Sequence, residues 1–127
     1  MIYGIGIDCI EVARMEENVR DDGAFAAKVF TAREREYCMA RHHPAQHFAA
    51  RFAAKEALFK ALGTGWSGGM AWEEIEIEHD AGGRPRLKVS GAVGEYVVRQ
   101  GITRMHVSLT HVRELACAVV VLETDGV

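Results

Sequence analysis

The sequence predicts an α+β fold, and three observations carry the prediction. Residues 2–10 alternate with a period of two, residues 44–62 place apolar side chains at helical spacing, and two pairs of strand-like runs flank turn residues in the second half. These helices and largely antiparallel strands alternate irregularly, the pattern of an α+β chain.

In IYGIGIDCI, Ile5, Ile7 and Cys9 alternate with Gly4, Gly6 and Asp8, giving a strand with one nearly bare side. The two glycines leave room for something to approach the backbone before Asp8. Asp8 taken alone reads most simply as a cap for the next helix. That helix is expected over Glu11–Arg20, with Val12, Met15 and Val19 on one face and Arg14 pointing away from it. Thr31 and Glu34 stand at capping-box spacing, so a short helix should follow, to about Ala40. Pro44 suits the first turn of a long helix that ends near Leu62, and Gly63-Thr64-Gly65 would terminate it. Trp66–Met70 reads as a glycine-rich loop. Glu74–His79 and Pro85–Ser90 read as a hairpin around an Ala-Gly-Gly turn, and Val93–Arg99 as a short helix. Arg104–Thr110 and Ala116–Glu123 complete the chain as a hairpin across Val112-Arg113-Glu114.

With 127 residues, 49% of them hydrophobic, and two prolines, the chain is expected to form one ordered domain over residues 1–127. A net charge of −3 argues against electrostatic binding of nucleic acid. Met1-Ile-Tyr-Gly-Ile lacks the basic start of a signal peptide, and Ala116–Leu122 is too short to span a bilayer, so no membrane role is expected. Cys9, Cys38 and Cys117 form an odd set without CxxC spacing, expected as reduced thiols of a cytoplasmic protein.

The long helix carries the chemistry. At about 100° per residue, Phe48, Phe52, Phe59 and Leu62 share one face, Glu56 lies about 40° beyond Phe52, and Lys60 about 40° further. An acid and a base at the border of a buried face, followed by a glycine stop, suggest a metal and phosphate site; an ordinary i, i+4 ion pair is the alternative. Gly63 and Gly65 could also give backbone room beside a ligand. Lys55 falls inside the apolar arc, where it must snorkel or meet a carboxylate. His43 and His47 have the spacing of a zinc helix but no third ligand. His42 and His43 beside Arg41 suit either an anion or a solvated turn. His106, Ser108 and Thr110 share one side of a strand, with Val107, Leu109 and His111 on the other.

Four segments together resemble a known family: GIGIDCIEVARME (4–16), KVFTAREREYC (28–38), RFAAKEALFKALGTG (51–65) and HVSLTHVRELACAVVVLE (106–123). In order and spacing they are similar to the small bacterial holo-[acyl-carrier-protein] synthases of the 4′-phosphopantetheinyl transferase superfamily. The resemblance implies that superfamily's fold, a long central helix on a mostly antiparallel sheet. It also implies a reaction in support of fatty acid biosynthesis: the 4′-phosphopantetheine arm of coenzyme A moves to a serine of an acyl carrier protein, releasing adenosine 3′,5′-bisphosphate. By the same resemblance Asp8 and Glu56 are the protein ligands of Mg²⁺, a cation that prefers oxygen and commonly takes one or two carboxylates plus substrate phosphate. Lys60 would donate to the phosphates, and Arg51, Gly63, Gly65 and His106 would lie near coenzyme A. His111 is the side-chain candidate for the base that takes the serine proton, with a metal-associated water as the other option; Val112 follows it where some relatives carry an acid.

The resemblance further implies a homotrimer with the site between neighbours, Asp8 and Glu56 from one chain and part of the adenine pocket from the next. Arg14, helped by Arg20, matches the basic residues offered to an acidic carrier helix. Yet Glu17 and Asp21 share that face and residues 11–22 are net negative, so docking leans on Arg33, Arg35 and Arg41 or the carrier is less acidic. A sensor that kept the fold but lost transfer would be marked by loss of Asp8, Glu56 or Lys60, and all three are present. A purely structural oligomerisation domain leaves Glu56, Lys60 and the bare strand side without a purpose.

Overall fold

The structure, a computed structural model, describes residues 1–20, 23–65 and 69–126. Along the chain run β1 (Ile2–Glu11), α1 (Val12–Arg20), α2 (Ala24–Val29), α3 (Ala32–Met39), α4 (Pro44–Leu62), a 3₁₀ turn (Trp72–Glu74), β2 (Ile75–His79), β3 (Pro85–Val89), α5 (Gly91–Arg99), β4 (Ile102–His111) and β5 (Leu115–Thr124). Strands β1, β5 and β4 form one antiparallel sheet with β5 in the centre, and β2–β3 form a separate hairpin. The expected α+β architecture, a long helix on antiparallel strands, is the one observed.

Local sequence explains most elements. Thr31 caps α3 by accepting from Glu34 N at 3.2 Å, while the Glu34 carboxylate takes the Thr31 N–H at 3.0 Å, completing the capping box. Gly63 closes α4 in the left-handed region (φ 81°), its N–H bonding to the carbonyls of Phe59 and Lys60. The short α2 is an addition to the sequence reading: it has six residues and no side-chain cap, so nothing in its sequence announces it. Glu11 belongs to β1, opposite Leu115, and not to the helix that follows. The expected loop Trp66–Met70 lies for residues 66–68 outside the described residues.

The approach expected at the β1 glycines is made by α4. The bare side of the strand is the buried one. Gly4 and Gly6 approach α4 so closely that a Cβ at either would overlap the carbonyl oxygens of Ala61 and Ala57, while Ile5 and Ile7 face outward, 60% and 66% exposed. Alternation distinguishes the two sides of a strand without saying which one a neighbour covers. The something that approaches the glycines is α4, whose Ala53, Ala57 and Ala61 keep its own surface low.

Helix α4 is buried almost all round, with Phe48, Leu58, Phe59 and Leu62 in the core and, along its second half, only Lys60 reaching solvent with about half of its side chain. Lys55 is completely buried and meets a carboxylate. Its ammonium donates to Glu34 Oε1 (2.7 Å), Val29 O (2.7 Å) and Trp72 O (3.2 Å), and Glu34 Oε2 accepts from Ile77 N at 2.8 Å. One ion pair therefore joins α2, α3, α4, the 3₁₀ turn and β2. No helix among the described residues is long and apolar enough to cross a membrane.

Candidate active site

The parity that turns Gly4 and Gly6 toward α4 also turns Asp8 that way, and α4 answers with Glu56 and Lys60. Lys60 Nζ donates to Asp8 Oδ1 at 2.9 Å and to the Ile7 carbonyl at 3.0 Å. Asp8 therefore sits inside β1 and engages α4; it is not the cap of α1. An ammonium has three donors, so Lys60, half exposed, keeps one for a ligand. The other Asp8 oxygen, Oδ2, is buried and has no hydrogen-bond partner among the described residues.

Glu56 is half-buried, and burial raises its pKa above the ordinary carboxylate value. The Asp8 charge pushes in the same direction, while Lys60 opposes both. Two carboxylates crowd one lysine, and one of their oxygens faces no donor. The place suits a small hard cation. Among the described residues no cluster of three or more His, Cys, Asp or Glu side chains forms a metal site, so such a cation would complete its shell with water and substrate oxygens.

Two glycines frame the same end of α4. Gly63 (φ 81°) and Gly65 (φ 61°) both have open space where a side chain would stand. On the other side, Arg14, Met15, Asn18, Phe52 and Glu56 line a cleft of 370 Å³ between α1 and α4. Arg14 thus opens onto the same cleft as Glu56. Arg20 instead pairs with Glu16 at 3.2 Å on the exposed surface, and Asp21 is outside the described residues.

The remaining predicted residues lie elsewhere. Arg51 precedes Lys60 by nine positions, about 13 Å along α4 and on its opposite side. It is buried to 2% exposure, its guanidinium stacks over Tyr37 at 4.2 Å, one nitrogen donates to His47 O at 3.3 Å, and Nε has no partner among the described residues. Arg41 covers Tyr37 at 4.0 Å, and His79 stacks on that ring at 5.0 Å. His47 and His79 are held below the usual imidazole value, first by burial and then by Arg51. His111 joins this group, its ring 5.4 Å from that of His47. The structure therefore separates His111 from Glu56.

His106 occupies a third place, on the outer face of the sheet. Its Nε2 lies 2.6 Å from Glu123 Oε2, which also faces Arg104 Nε at 3.6 Å. Beside it a cleft of 690 Å³ between β3 and β4 carries Arg84, Arg86, Arg104, His106 and Ser108 over an apolar floor. Sequence reasoning found His106 and Ser108 by parity. It missed Glu123 and the arginines, which only the β4–β5 register and the packing of β3 bring alongside.

A profile of the 4′-phosphopantetheinyl transferase superfamily matches residues 4–120. The chain belongs to that superfamily. Among curated relatives, the holo-[acyl-carrier-protein] synthase of Geotalea daltonii is 44% identical over 97% of this chain and 99% of its own length. Among solved structures, the holo-[acyl-carrier-protein] synthase of Neisseria meningitidis is similar with a TM-score of 0.89 at 37% identity, covering 98% of this chain and 100% of that one. The corresponding synthase of Bacillus anthracis, solved in complex with CoA (3′,5′-ADP), has a TM-score of 0.81 at 35% identity, covering 98% and 99%. For this superfamily member the three patches described above are the residues to be assigned.

Proposed function

We propose that this single-domain chain is a holo-[acyl-carrier-protein] synthase, moving 4′-phosphopantetheine from coenzyme A to a serine of an acyl carrier protein of fatty acid synthesis. The serine oxygen bonds to the phosphorus that carries the pantetheine arm. The bond from that phosphorus to the bridging oxygen breaks, and adenosine 3′,5′-bisphosphate leaves. The observation that carries the reading is the Asp8–Glu56–Lys60 group with its buried, unpartnered Asp8 oxygen.

Asp8 and Glu56 would hold Mg²⁺. When bound, the cation neutralises charge on the phosphoryl oxygens. Lys60 keeps Asp8 oriented and points its remaining donor at the phosphates. Gly63 and Gly65 leave the backbone open for the coenzyme. Arg14, on the wall of the cleft that reaches Glu56, meets the acidic face of the carrier as its serine enters.

The other coenzyme A residues support a composite site. Asp8 faces α4, whereas His106 stands on the opposite face of the same sheet, so one chain cannot turn both toward one ligand. That outer face is also apolar, with Ile5 and Ile7 beside Val119 and Val121. A homotrimer closed over this face brings His106 and its arginines from one copy to Asp8, Glu56 and Lys60 of another. The buried Arg51, whose Nε has no partner among the described residues, is a second phosphate ligand, and His111 can act as the base only where a neighbouring copy carries it to the carboxylates. Three free thiols agree with a cytoplasmic setting.

The test is intact-mass analysis of an apo acyl carrier protein incubated with the chain, coenzyme A and Mg²⁺, with and without chelator. The expected result is a phosphopantetheine mass gain that the chelator abolishes. No gain on several carriers, with coenzyme A still bound, overturns the transfer reading.

A further inference from the structure

Cys9 and Cys117 stand directly opposite one another in the β1–β5 register, on the outer face of the sheet. Their sulfurs are 3.0 Å apart, with one thiol hydrogen-bonded to the other. Cys9 is exposed and Cys117 half-buried. Side chains directly opposite in an antiparallel pair have Cβ atoms about 4.5–5.5 Å apart, and a disulfide requires about 3.5–4.5 Å there and about 2.0 Å between the sulfurs. Closing the bond therefore takes about 1 Å of side-chain and strand adjustment, within the tolerance of a twisted sheet, with no change of register. The third cysteine is no competitor: Cys38 is fully buried, and burial pushes its thiol up to about 12.

We propose that Cys9 and Cys117 are a modification site, closing to a cross-strand disulfide by exchange with a low-molecular-weight disulfide such as oxidised glutathione. The Cys9 thiolate, the more exposed, attacks one sulfur of the small disulfide. A mixed disulfide forms and one small thiol leaves. The Cys117 thiolate then attacks the Cys9 sulfur, the mixed bond breaks, and the second small thiol leaves. The two protein protons end on the two released thiols, so the chain is oxidised by two electrons and the small disulfide reduced by two.

The bond lies at the edge of the candidate active site, since Cys9 also lines the cleft that holds Arg14 and Glu56. Cys9 follows Asp8 and points to the other face, so closure ties β1 to the central strand while the carboxylate keeps its aim at Lys60. The same outer face is the one proposed to meet other copies, and the bond stays within one protomer.

The experiment equilibrates the full chain in glutathione buffers of graded oxidised-to-reduced ratio, quenches with acid, alkylates, and reads intact mass and tryptic peptides. The disulfide adds no bulk to the face, so its equilibrium population, unlike its rate of formation, does not depend on coverage by other copies. The expected oxidised species is lighter by two hydrogens, its peptides 1–14 and 114–127 are linked, and the peptide holding Cys38 is alkylated. Cys9→Ser and Cys117→Ser should each show neither the loss of two hydrogens nor the linked peptides. The oxidised chain should also unfold at higher urea than the reduced one. Two glutathiones on the native chain, bonds between chains, or free thiols at the most oxidising ratio each overturn the proposal.

Discussion

Glu56 shows how far single residues can be read in advance. Its angle on α4, at the border of the buried face beside Lys60, follows from helical spacing alone, and the structure leaves it half-buried there. What the spacing does not contain is Asp8, 52 positions from Lys60 in the chain and bonded to it at 2.9 Å. Only the fold brings a strand carboxylate to a helix carboxylate, and burial first, then the Asp8 charge, raises Glu56. The sign of the consequence follows. A carboxyl with a raised folded pKa ionises first in the unfolded chain, so stability falls as pH climbs from about 4.5 through the folded value and stays lower at neutral pH. Glu56→Gln should therefore raise the melting temperature at pH 7 without added metal and flatten its pH dependence in that window. It should also remove most of the Mg²⁺-induced melting shift and cut turnover by orders of magnitude. An undiminished Mg²⁺ shift in differential scanning fluorimetry would take Glu56 out of the cation site.

Among the elements, α4 was legible because its start, apolar face and glycine stop are all local signals. Its partners were not. That Lys55 must find a carboxylate follows from its place in the apolar arc, but Glu34 is supplied by α3, and the hydrogen bonds to Val29, Trp72 and Ile77 come from three other segments. Lys55→Met leaves Glu34 charged and buried, and urea titration should register a loss of roughly 3–5 kcal/mol. Lys55→Met combined with Glu34→Gln should lose clearly less than Lys55→Met alone. At the other end of the helix, His47 and His79 are depressed by burial and Arg51. Such histidines bind protons more readily when unfolded, so their contribution is present above about pH 6.5 and is lost as pH falls below it. Thermal melts from pH 7.5 to 5 should steepen in the native chain and flatten in His47→Ala/His79→Ala; an unchanged slope would mean other groups govern acid stability.

For the whole molecule, alternation in β1 marks the two sides of the strand and its glycines leave room for an approach, but nothing local names α4 as the element that fills it. The contact is one of close packing: the alanines of α4 admit the strand backbone only where no Cβ intervenes. The isoleucines are left for another surface. Ile7→Asp should convert a trimer to monomers in light scattering, with circular dichroism unchanged and transfer lost; a trimer that persists would move the interface elsewhere. Mixing subunits tests the composite site directly. Asp8→Asn and His106→Ala chains, each inactive alone, should regain a measurable fraction of native activity when unfolded and refolded together, and no recovery would assign both residues to one protomer's site.

The β1–β5 pairing has a further consequence for how the protein is made. β5 lies between β1 and β4, and the chain ends are tied by Met1 N donating to Thr124 O and Thr124 N donating to Met1 O, both at 2.8 Å. During synthesis the strand bearing Asp8 emerges before α4, whereas the strand that completes its sheet emerges after β4. Until then β1 can lie only on α4, its ladder groups exposed to water and to neighbouring nascent chains. Such long-range closure slows folding and lengthens the interval of aggregation risk. Both carboxylates of the site thus leave the ribosome well before the strand that makes the site rigid.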